Sequence, residues 1–181
     1  MTVAKSLVLS VLIFVGAFLS VFINAYADTN LVVPFTQKLE TSISNKRVLL
    51  VKSGEAVTKF RVKDLEQLSL YEASVPPIWV NEAGKYQGVL LLDILKAADM
   101  DGVKRVKLVA LNGYAIDLAL SKWPGKCLFI ATRHLMREIR VEMKGPTRLL
   151  IPCMIDPDGK NYAEISTANW IWNLKEIHVL D

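Results

Sequence analysis

Arg148 is the residue whose place in the chain is least explained by packing alone. It opens the apolar run Leu149-Leu150-Ile151, which a Gly145-Pro146 turn introduces and Pro152 closes. That pattern predicts a short buried strand between turns. A cation at the mouth of such a strand either snorkels to solvent or holds an anion. Other residues able to contact a ligand also sit beside turns: Trp79 just after Pro76-Pro77, Tyr114 directly after Gly113, and Arg133 after an apolar segment. Such a set suits a planar, polar ligand, with aromatic rings on its face and Asn or Arg groups at its edge. For Trp79, Trp170 and Trp172 individually, burial in a core is the plainer reading.

Catalytic groups are scarce. There is no G-x-S-x-G nucleophile elbow, no P-loop and no dinucleotide fingerprint, and only His134 and His178 could serve as an imidazole base. Asp156 and Asp158 flank Pro157 and precede Gly159, which makes them turn residues. The two histidines are far apart and no C-x-x-C is present, so a structural metal site is not indicated.

The elements that must position these residues follow from periodicity. Residues 47–52 and 56–62 read as two strands joined by Ser53-Gly54-Glu55, and residues 62–68 as a short helix. Pro34 demotes residues 31–33 to an edge segment or an ordered arm, and Pro76-Pro77 break the aromatic stretch 71–82. Residues 90–98 place Leu91, Leu92, Leu95 and Ala98 on one helical face. Residues 105–111 and 114–120 form a hairpin about Asn112-Gly113, residues 127–131 a strand, and residues 176–180 the last strand. The charged residues 133–142 read as a surface connection. Several short strands with two or three short helices predict a mixed α+β domain rather than a βαβ repeat.

Lys5, the apolar stretch 6–23 and the Ala25-x-Ala27 site have the form of a secretory signal peptide, residues 1–27, with a retained membrane anchor as the alternative. Residues 28–181 then have the size of one domain, placed in the periplasm. Removing Lys5 lowers the formal charge by one from +4. The remaining basicity is spread along the chain, which argues against nucleic-acid binding. In an oxidising compartment Cys127 and Cys153 form either a disulfide or two small buried thiols.

Five segments in order carry a resemblance. They are Tyr86-x-Gly88-Val89-x-Leu91-x-Asp93-Ile94-Leu95; Ala110-Leu111-Asn112-Gly113-Tyr114-Ala115; Ala131-x-Arg133; Lys144-Gly145-Pro146-x-Arg148-Leu149-x-Ile151-Pro152; and Trp170-x-Trp172-x-Leu174-x-x-Ile177-x-Val179. From about residue 47 to the C-terminus the chain resembles the molybdopterin-binding domain of the sulfite oxidase family. It resembles most the small stand-alone secreted members. The resemblance implies an α+β fold with a coiled mixed sheet and a pterin site between loops. In the enzymes of the family a cysteine upstream of the first motif binds molybdenum. The matching stretch here, Ser74-Val75-Pro76-Pro77-Ile78-Trp79, holds no thiol. Members often carry an Asp-Gly turn after Ala-x-Arg, where this chain has Leu135-Met136-Arg137.

The resemblance therefore implies a non-catalytic module that takes a reduced pterin or molybdopterin and reports its presence to the periplasmic region of a membrane receptor with cyclic-di-GMP output. Trp79 and Tyr114 would border the ring, Arg133 and Arg148 would meet its polar or anionic groups, and Asn112 would hold the turn or bond the ligand. A molybdopterin-dependent oxidoreductase and a protein-docking domain without small ligand are the alternatives.

Overall fold

The computed structural model describes residues 32–75, 83–123, 126–154 and 170–180. The leader, Trp79 and the acidic turn of Asp156 and Asp158 lie outside the described residues. Among the described residues eleven strands and two α-helices form a sheet-rich α+β architecture.

The strictest alternation in the sequence builds one of two sheets. Strand β2 (Arg47–Ser53) turns into β3 (Ala56–Arg61), and β6 (Arg105–Ala110) turns into β7 (Ala115–Ala119), each pair antiparallel as expected. Strand β11 (Leu174–Leu180) lies between them, parallel to β2 and antiparallel to β6, which gives the order β3-β2-β11-β6-β7. Leu49, Val51, Val106, Leu108 and Ile177 are buried by this period-two pattern. Glu176 bridges the sheet surface: its carboxylate accepts hydrogen bonds from Lys52 Nζ at 2.6 Å and His178 Nε2 at 2.7 Å. The Lys52 contact, then that of His178, holds its pKa down at about 2.

The second sheet is antiparallel throughout. It runs β1 (Val32–Pro34), β4 (Tyr71–Val75), β5 (Gly84–Leu90), β8 (Phe129–His134) and β10 (Arg148–Leu150), with β9 (Arg137–Glu138) paired to β8. Pro34 does sit on the edge strand β1. The stretch 133–142, expected as a surface connection, instead continues β8 to His134 and returns as β9. Its charge pattern hides a strand because Arg133 is paired inside the protein.

Both sheets and both helices contribute to one hydrophobic core. Helix α1 (Val62–Leu65) is shorter than expected. Helix α2 (Leu91–Ala97) buries Leu91, Ile94 and Leu95, with Ala98 beyond it. Leu92, expected on that face, is exposed, because a 100° step per residue places Ile94 there instead. Two motif glycines answer to crowding. A Cβ on Gly88 would collide with the Ile130 carbonyl of the neighbouring strand, and one on Gly145 with the Ile139 carbonyl.

Residues 171–174 stitch the sheets together. Leu149 N–H donates to Ile171 O at 2.8 Å, Leu174 N–H to Thr147 O at 2.8 Å, and Leu111 N–H to Asn173 O at 2.9 Å. The segment around β10 is thereby fixed against both the first strand of the β6–β7 hairpin and the start of β11.

Cys127 and Cys153 are joined in a disulfide, with Cα atoms 5.3 Å apart and a sequence separation of 26. It ties the approach to β8 to the exit from β10. Closing a loop of this length restricts the unfolded chain by about 3 kcal/mol. Reduction, or the double substitution Cys127→Ala/Cys153→Ala, is therefore expected to lower the free energy of unfolding by about 3 kcal/mol in a urea titration. An unchanged midpoint would mean that the bridge merely decorates pairing that is already complete.

Candidate functional site

Strand pairing, not sequence proximity, assembles the site. Tyr86 on β5 lies directly opposite His134 on β8, and their rings stack with centroids 4.3 Å apart and planes 16° apart. Arg148, at the start of the neighbouring strand β10, places its guanidinium carbon 5.3 Å from the centroid of the Tyr86 ring and Nη1 3.4 Å from the Tyr86 hydroxyl. The result is a column of imidazole, phenol and guanidinium. His134 Nε2 lies 3.1 Å from Ala83 O. A carbonyl only accepts, so this nitrogen carries the proton.

This column forms one wall of a cavity of about 620 Å³. The other walls come from residues 135–144, where Ile139 and Met143 supply apolar surface and Arg137, Arg140 and Lys144 supply positive charge against Glu138 and Glu142. A volume of this size falls within the roughly 300–1,000 Å³ typical of small-molecule sites. Lys144 takes a left-handed backbone conformation, φ 69°, and lays its ammonium 3.7 Å from the centroid of the Trp172 ring. The Gly145-Pro146 peptide bond that follows is cis.

Electrostatics at this wall are set by burial. Arg148 is only 2% exposed, so it belongs to the interior and not to the rim where a snorkelling cation would sit. Desolvation lowers its pKa, with Tyr86 opposing, and raises the pKa of Tyr86, with Arg148 opposing. Lys144 is shifted down, first by burial and then by repulsion from Arg148. A cation that has already lost its water binds an incoming acceptor without a further desolvation cost on its own side.

The other expected contacts fall elsewhere. Arg133 does not line the cavity. Its Nε and Nη2 form a bidentate pair with Glu66, at 2.7 and 2.8 Å, and Nη2 also donates to Glu40 O at 2.7 Å. Both side chains are nearly fully buried. Arg133 is thus the inner half of an ion pair that anchors α1 and the N-terminal arm to β8. Asn112 and Tyr114 occupy the exposed β6–β7 turn, where Asn112 Oδ1 accepts a hydrogen bond from Tyr114 N–H at 3.0 Å. Neither belongs to the cavity lining. Trp79 lies outside the described residues.

Sequence reasoning missed Tyr86, His134 and Lys144 as site residues. Tyr86 and Lys144 do stand inside the quoted motifs, which is the available signal. His134 had none, since its role depends on the register between β5 and β8. Among the described residues no group of His, Cys, Asp or Glu side chains is arranged to hold a metal ion. No family model matches the chain, and no curated protein is significantly similar to it.

Proposed function

We propose that the protein is a periplasmic pterin-binding module with a sulfite oxidase-type fold, which binds without catalysing and reports occupancy to the periplasmic region of a membrane receptor that controls cyclic-di-GMP. The observation that carries this reading is Arg148, buried beside the Tyr86–His134 stack in the wall of a 620 Å³ cavity. A reduced pterin keeps a flat aminopyrimidinone half whose edge offers a carbonyl and a ring-nitrogen acceptor beside its N–H donors. Arginine matches such an edge with a planar fork of donors, and stacked aromatic rings offer a flat boundary beside it. The residues present thus fit a pterin, and Arg148, Lys144 and the Tyr86–His134 pair would hold it.

The disulfide supports binding over molybdenum chemistry. A molybdenum centre of this family type needs a thiolate, and both cysteines of the chain are engaged with each other. Calorimetric titration of the purified protein with tetrahydrobiopterin under nitrogen is expected to give one site with a Kd in the micromolar range or tighter. Folded protein that releases no heat, and whose tryptophan fluorescence the pterin does not quench, ends this reading. Near-stoichiometric molybdenum in protein from a molybdenum-replete host would replace it with the oxidoreductase.

A further inference from the structure

The turn between β8 and β9 consists of two residues, Leu135 and Met136, both in the left-handed region at φ 50° and 69°. A two-residue hairpin with both φ positive is the geometry that Asn-Gly or Asp-Gly adopts without strain. Two bulky apolar side chains stand there instead. The conformation is held by its surroundings: Leu135 N–H donates to Lys85 O at 2.8 Å and Met136 N–H to Gln87 Oε1 at 2.9 Å. Strain that persists under such restraint marks a site where the side chains matter.

Those side chains face solvent. Leu135 and Met143 are each 57% exposed, and Met136 and Val141 are exposed as well. Leu135 and Met143 belong to the cavity lining, and Met136 and Val141 stand close to them in the chain. Large apolar side chains left exposed at the rim of a cavity mark an interaction face. Its net charge is positive, since Arg137, Arg140 and Lys144 outnumber Glu138 and Glu142 in the same lining.

We propose that the Leu135–Met136 turn, with Val141 and Met143, is the docking surface for a partner protein, whose contacting segment is apolar and carries net negative charge. The proposal rests on the reading of this chain as a module that reports to a partner. It places that partner at the mouth of the ligand cavity, where an occupant of the cavity and the docked segment would border one another.

The test is selection of a random displayed-peptide library on the purified protein alone, followed by binding assays on the Leu135→Asn/Met136→Gly variant. Enriched peptides are expected to combine apolar and acidic residues. They should bind Arg137→Glu/Arg140→Glu protein, and the Leu135→Asn/Met136→Gly variant, about tenfold or more weakly. The Asn-Gly variant should at the same time melt at a higher temperature, since its turn is relieved of strain. Peptides that bind the variants as tightly as the original, that lack acidic residues, or that fail to enrich at all overturn the proposal. Titration of the same samples with tetrahydrobiopterin separates the two ideas. Peptide binding without pterin binding sinks the pterin reading alone, and pterin binding without peptide binding sinks the docking surface alone.

Discussion

Arg148→Met is expected to weaken binding of a reduced pterin by about a hundredfold, which corresponds to about 2.7 kcal/mol. Two charge-assisted hydrogen bonds from a guanidinium to a bound acceptor are worth about that much. Methionine keeps the length and most of the volume of the side chain, so the Tyr86 ring beside it retains a packing partner. The guanidinium carbon lies 5.3 Å from the centroid of the Tyr86 ring, and the melting temperature of the variant reads what the loss of that contact costs the fold. Arg148→Lys keeps the charge and loses the planar fork, and it should fall between the two in affinity. Calorimetry and a thermal melt on the same preparations read both effects. An affinity within threefold of the original would show that the ligand does not meet this wall, and a large loss of stability with it would make Arg148 a structural residue.

Arg133→Met should have the opposite profile. The Glu66 carboxylate would be left almost fully buried, with only the Thr132 hydroxyl, at 3.0 Å, among the contacts it now makes through β8. Removing one partner of a buried ion pair costs about 3–5 kcal/mol, because the remaining charge loses its compensation. The Glu40 carbonyl also loses its donor. In a urea titration the midpoint should fall sharply, while the molecules that remain folded bind pterin as before. Adding Glu66→Leu to the same chain should recover most of the loss, since it removes the stranded charge. If Arg133→Met were as stable as the original and failed to bind pterin, the guanidinium would be a ligand contact after all.

These two arginines look alike in the sequence, since each stands next to an apolar run and each lies within a motif. Their roles diverge because of what lies across the sheet from them. Arg133 finds Glu66, 67 positions earlier. Arg148 finds the ring of Tyr86, 62 positions earlier, and an open cavity. No local pattern records those distances along the chain. Tyr114 and Asn112 also stand at a turn within a motif, and the fold places that turn in the β6–β7 hairpin, apart from the lining of this cavity.

The sequence by itself determined the mixed α+β class, the two hairpins of the first sheet, the exclusion of Pro34 from a central strand and the helix after β5. Each of these rests on a short-range cause: period-two alternation, a glycine-containing turn, a missing N–H or a helical apolar face. Only the tertiary structure decided that β11 enters between β2 and β6, that the charged stretch after Arg133 conceals a strand, and that Arg148, Tyr86 and His134 form one wall. Those outcomes depend on register between strands distant in the chain. A one-residue slip there would turn every side chain to the opposite face, and the residues of one strand alone do not say which neighbour they will meet.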